Sequence, residues 1–158
     1  MNPRRLNRSL ATSQAWSNQL WWLQNEKGAL RNARESNLDL YRTLGTELTT
    51  LRGARDSLEN VLAENSRLSI EIVSTHRNLG RTRFWGSRRN EFIEKLTGLS
   101  GRITALRNHT RNNGIEPIST RIGNIETRRT SINNLREAQL GDIRFLEDRI
   151  DEVRRRMG

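Results

Sequence analysis

From Trp16 to Leu79 a single heptad register runs without a slip, and nothing else in the sequence restricts the fold as much. Its seam positions, in alternating steps of four and three, are Trp16, Leu20, Leu23, Lys27, Leu30, Arg34, Asn37, Tyr41, Leu44, Leu48, Leu51, Arg55, Leu58, Leu62, Asn65, Ser69, Ile72, His76 and Leu79. Apolar residues at this spacing specify one face of an α-helix and are incompatible with a strand. Leu40, Val61, Leu68 and Val73 flank the seam and widen it toward the stripe of a helix with more than one neighbour. Prolines occur only at Pro3 and Pro117, so nothing in this stretch breaks the helix. At 1.5 Å per residue it would be on the order of 100 Å long. Gly28, Gly45 and Gly53 each cost about 1 kcal/mol relative to alanine inside it, so tertiary packing has to hold it together. Asn65, Ser69 and His76 put polar groups on the seam, where they set register at some expense of stability.

The register slips at Thr82-Arg83-Phe84-Trp85-Gly86-Ser87-Arg88-Arg89-Asn90-Glu91-Phe92. Two aromatics followed by a glycine suit a tight reversal, because glycine accepts a positive φ while the rings cap the interrupted seam. Phe92, Leu96, Leu99, Ile103 and Leu106 then restart the four-three spacing in a new phase, with Ser87 as the expected N-cap. A second interruption is expected at Asn112-Asn113-Gly114-Ile115-Glu116-Pro117, where Asn-Gly and proline coincide. Beyond it one register holds through Ile118, Ile122, Ile125, Arg129, Ile132, Arg136, Gln139, Ile143, Leu146, Ile150, Val153 and Met157, with Leu135 and Leu140 beside its weak middle. The expected fold is therefore all-α: one elongated, coiled-coil-like antiparallel helical hairpin covering residues 1–158. Helix 1 is expected over about 9–80, the tip over 82–88, helix 2 over about 89–111 and helix 3 over about 117–156, the second arm being broken near Asn113-Pro117.

Composition agrees with a thin fold. Only 33% of the 158 residues are hydrophobic and 29% are charged, which is poor material for a globular core, while the sustained period argues against disorder. There is no cysteine, which excludes disulfides, thiolate metal sites and cysteine nucleophiles. His76 and His109 are the only histidines and no acidic cluster accompanies them, so no metal site is expected. Acids such as Glu147, Asp148, Asp151 and Glu152 alternate with arginines as on a salt-bridged helix surface, and neither an enzyme site nor a cofactor is expected. The longest apolar run near the N-terminus, Leu20-Trp21-Trp22-Leu23, is too short for a signal-peptide core or a membrane span. The chain is expected to be cytoplasmic at synthesis, and any export would use a route without a cleaved signal. The net charge of +10 is nearly all arginine, which makes an acidic partner or nucleic acid a question to weigh. The arginines are spread along the chain with few aromatics among them, which favours a solvated basic surface over a base-stacking one.

A helical hairpin carrying Phe84-Trp85-Gly86 at its turn, continued by Arg88-Arg89-Asn90-Glu91-Phe92, resembles the WxG-type hairpins of bacterial type VII secretion. Within them it is similar to the longer helical accessory proteins that accompany LXG-domain toxins. The likeness covers mainly residues 40–110 and assigns Phe84, Trp85, Gly86 and Phe92 to the turn motif. It departs from the pattern in having Phe84 at the first aromatic position and Arg149, not an acid, four residues after Phe145. The resemblance implies an adaptor or chaperone that binds the helical N-terminal domain of a secreted toxin and supports its export. Trp16, Trp21 and Trp22, with Leu40, Val61, Leu68 and Val73, are the candidate partner-binding residues, since aromatics dominate interface energetics. Packing of the tryptophans against the hairpin's own C-terminal end is the competing expectation. Two other classes stay open: a structural coiled-coil subunit of a phage or scaffold assembly, which would self-associate, and an arginine-rich nucleic-acid-binding protein.

Overall fold

The computed structural model describes the backbone of residues 3–81 and 86–157 and the side chains of residues 12–79 and 86–157; Phe84 and Trp85, two of the turn-motif residues, lie outside these. Three α-helices account for nearly all of it: α1 (Pro3–Arg81), α2 (Ser87–Thr110) and α3 (Glu116–Met157), with a π-helical turn, Arg111–Ile115, joining the last two. No strand occurs among the described residues. The chain is a helical hairpin, and it divides into two compact units through both of which α1 runs: Met1–Gly45 with Thr127–Gly158 (unit 1), and Thr46–Glu126 (unit 2).

Pairing within each unit is antiparallel. In unit 1 Arg31 meets Glu147, Asn37 meets Gln139 and Gly45 lies beside Arg129, so the partner number falls as the α1 number rises. In unit 2 Glu47 meets Arg121, Leu58 lies beside Gly114, and Ile72 and His76 share a groove with Leu96 and Ser100. The α1 seam expected from the heptads is the face turned inward. Leu23, Leu44, Leu48 and Asn65 are buried on it and most of the others are half-buried. Each buried leucine contributes about 1.5–3 kcal/mol relative to exposure, which offsets the interior glycines of α1. His76 is the exception: it is exposed, at a level where the two helices leave an open groove.

The start of α2 differs from expectation. Gly86, not Ser87, is the N-cap; it sits at φ 145° and accepts a backbone hydrogen bond from Arg89 at 3.1 Å, with no side-chain cap. That φ belongs to glycine, so the helix starts on backbone conformation alone and needs no serine oxygen.

The interruption at Asn112–Pro117 falls where expected but takes the form of a π-turn inside continuous helical backbone. The Glu116 N–H donates to the Arg111 carbonyl five residues back. Pro117 has no N–H to donate, and its ring would crowd the Asn113 carbonyl in a regular helix; a wide turn just before it relieves both problems without a cap or reversal. The inner face then reads Ile103, Arg107, Thr110, Gly114, Ile118, Ile122, Ile125, and its three successive steps of four mark the one inserted residue. An inserted residue turns the helix by about 100°, so α2 presents a different face from the one its leucines suggest. Arg89, Ile93, Leu96, Ser100, Ile103 and Arg107 point inward, whereas Phe92, Leu99 and Leu106 are exposed. Gly114 fits the close approach of the two arms here, since a Cβ on it would stand 2.9 Å from Leu58 Cδ1.

Substituting Gly86→Ala is expected to destabilise the protein by about 1–3 kcal/mol through its positive φ. Gly53→Ala, with open space around the added methyl, is expected to stabilise it by about 0.5–1 kcal/mol. Thermal melts followed by circular dichroism check both, and equal losses at the two positions would show that α2 does not start on a left-handed glycine.

Candidate interaction surfaces

At one end of unit 1, Leu23, Leu146, Ile150 and Val153 form a buried cluster with Trp16, Leu20 and Leu30 packed against it. The Trp16 ring also carries the Arg156 guanidinium at 5.4 Å from its centroid, and Arg156 is hydrogen-bonded to Glu152. Trp16, a candidate partner anchor, is thus engaged by the chain's own C-terminal end. Its two companions are not. Trp21 and Trp22 remain 67% and 54% exposed, because they follow Leu20 on the outer side of α1, away from the seam. Leu40 is half-buried beside the seam.

The middle of unit 1 is polar and cationic. Asn37 Nδ2 donates to Gln139 Oε1 at 3.1 Å across the seam. Next to it the Tyr41 ring is faced by Arg129 at 4.1 Å and Arg136 at 5.7 Å, and the Nε atoms of Arg34, Arg129 and Arg136 are buried without a hydrogen bond among the described groups. An aromatic face is the cheapest counterpart for a half-buried guanidinium where no carboxylate reaches it, at about 0.5–2 kcal/mol per contact. Heptad reading marks these arginines as weak points of the seam; that they stack on Tyr41 depends on the partner arm and could be found only in three dimensions.

Unit 2 has two distinct flanks, and its ion pairs identify them. Arg121 meets Glu47 at 2.7 Å on one, and Arg52 meets Glu126 at 2.7 Å on the other. Counting by sevens along α1, Val61 and Leu68 share the Glu47 flank, while Val73 shares the Arg52 flank. On the return arm Leu106, Leu99 and Phe92 line up with Arg121 once the residue inserted at the π-turn is allowed for. The Glu47 flank therefore gathers Val61 and Leu68 with Phe92, Leu99 and Leu106, the last three 47%, 46% and 49% exposed. Val73 is instead part of an open groove of about 510 Å³ on the other flank, lined also by Ile72, His76, Leu96, Ser100 and Gly101. So Val61 and Leu68 stand on a different side from Val73, although all three flank the same seam. Phe92, a residue of the expected turn motif, belongs to the apolar flank of α2.

Charge completes the Glu47 flank. Glu64 and Glu71 edge it on α1, both bonded to Arg67, whose hydrogen bond foremost holds the Glu64 carboxyl below its usual range. Arg88, Lys95 and Arg102 edge it on α2, with Lys95 paired to Glu91 at 2.8 Å. Among the described residues no three His, Asp or Glu side chains come together to hold a metal ion, and no helix is long and apolar enough to cross a membrane.

No protein-family model, curated protein or solved structure matches the chain.

The Asn37–Gln139 hydrogen bond provides a test of the polar middle. Asn37→Leu alone is expected to cost about 1–3 kcal/mol, because Gln139 is buried and loses its partner. The double substitution Asn37→Leu/Gln139→Leu is expected to recover most of that loss. Urea unfolding of the four members of the cycle gives the coupling directly.

Proposed function

We propose that this protein acts by association, without chemistry of its own, as a helical adaptor that binds a second, largely helical protein. The observation that carries the reading is the exposed Trp21-Trp22 pair on a helix whose inward face is already matched by its own return arm. Side chains of this size gain about 1.5–3 kcal/mol each on burial, and a helix laid against them is the simplest complementary surface for an α-helical stripe. Ion pairs such as Arg31–Glu147 are exposed and contribute under about 1 kcal/mol each, so apolar contact is the stronger candidate for affinity. The partner we favour is the helical N-terminal domain of a secreted toxin of the LXG type, with type VII export as the setting. That choice rests on the hairpin topology and the aromatic-x-Gly turn sequence, and the protein would shield the toxin domain and complete a surface for the secretion machinery.

The experiment is co-expression with the helical N-terminal domain of an LXG-type toxin, followed by affinity capture. Trp21→Ala/Trp22→Ala is expected to lower recovery of the partner at least tenfold, whereas charge reversal at the exposed Arg128 and Arg144 is expected to change it less than threefold. Capture that depends on the arginines and not on the tryptophans, or nucleic acid bound in a steeply salt-dependent way, would replace this reading with an electrostatic one.

A further inference from the structure

We propose that the Glu47 flank of unit 2 is where two copies of this chain associate, with α1 of one copy lying over α2 of the other. The apolar part is Val61 and Leu68, which flank the α1 seam, together with Phe92, Leu99 and Leu106, which the π-turn rotates out of the α2 seam to the same side. By the helical rise the stripe is about 25 Å long, and two helices side by side make it roughly 450 Å² per copy. Doubled, this lies just below the usual size of specific interfaces, which fits a reversible dimer in the micromolar range better than an obligate one.

What selects a second copy is the charge on the two edges. The α1 edge carries Glu64 and Glu71 around a single Arg67, leaving one net negative charge; the α2 edge carries Arg88, Lys95 and Arg102 against Glu91, leaving two net positive charges. A twofold axis parallel to the helices sets the acidic edge of each copy against the basic edge of the other, twice over. A twofold axis across the helices would instead set acid against acid and base against base. The flank is therefore self-complementary in one arrangement only, and in that arrangement every helix has antiparallel neighbours, as within the hairpin itself. The overall charge of +10 on each copy opposes association, but beyond about 8 Å it is screened at physiological salt, whereas the edge contacts lie inside that distance.

Sedimentation equilibrium of the full chain, with no partner present, tests this. A concentration-dependent dimer is expected; Leu99→Glu should raise its Kd at least tenfold, while Val73→Glu on the opposite flank should change it less than twofold, with helicity of both checked by circular dichroism. The chain has no cysteine, so single cysteines report the arrangement cleanly. Leu68→Cys mixed with Leu106→Cys, which face each other directly, should cross-link through a short bismaleimide faster than Leu68→Cys alone, whose two copies stand diagonally. Reversing both edges in one chain, with Glu64→Lys, Glu71→Lys, Arg88→Glu and Arg102→Glu, should restore dimerisation that either half of the set abolishes. A chain monomeric at all concentrations, a dimer indifferent to Leu99→Glu, or Leu68→Cys linking to itself faster than to Leu106→Cys would each overturn the proposal. None of these would touch the Trp21-Trp22 reading, which is measured by capture of a different protein.

Discussion

A seam between two helices buries one stripe on each, and this chain has more apolar surface than one stripe. That mismatch governs both units. The seam itself is closed by leucine and isoleucine over most of its length, so α1 can tolerate Gly28 and Gly53 in its interior and a polar, arginine-rich middle in unit 1. The remainder, Trp21 and Trp22 in unit 1 and the flank of Val61, Leu68, Phe92, Leu99 and Leu106 in unit 2, is left exposed on the described helices. In a protein with 33% hydrophobic residues such an excess is not a by-product of greasy composition. It comes from placement of a few large side chains outside the seam.

The π-turn is the second determinant. Pro117 interrupts the hydrogen-bond ladder of the return arm, and the wide turn before it absorbs the fault by adding one residue. The seam of α3 and the seam of α2 are then out of phase in sequence but continuous in space. Leu96 and Ile103 belong to both candidate faces of α2; the face actually used takes Ile93 and Ser100 and leaves Phe92, Leu99 and Leu106 outside. A weaker seam is traded for an apolar flank, and the same level of unit 2 is where Ile72, His76 and Leu96 leave an open groove.

Arginine serves different ends along the chain. On the flanks beside the seam it forms exposed ion pairs between the two arms, such as Arg121–Glu47, that add little stability. On the seam it lies on Tyr41, where a planar cation is tolerated without a carboxylate.

The sequence by itself determined that the fold is all-α, that α1 is a single helix from before Trp16 to Leu79, which of its residues apart from His76 face inward, and the seam of α3 from Ile118 to Val153. These follow from local periodicity, since a helix shows its buried face wherever apolar residues recur every three to four positions. It also located both interruptions, because glycine, proline and a phase slip are local signals. Tertiary structure decided what those interruptions are and what faces outward. Ser87 looked like a cap, but the backbone of Gly86 starts α2; Asn113-Gly114 looked like a turn, but the helix widens and continues. The face of α2 was undetermined by its own leucines, which fit two overlapping seams equally well, and only the phase imposed through the π-turn chose between them. For the same reason the flank of Val61, Leu68, Phe92, Leu99 and Leu106 could not be assembled from the sequence: its two halves lie on different helices, and the inserted residue between them shifts the count by one.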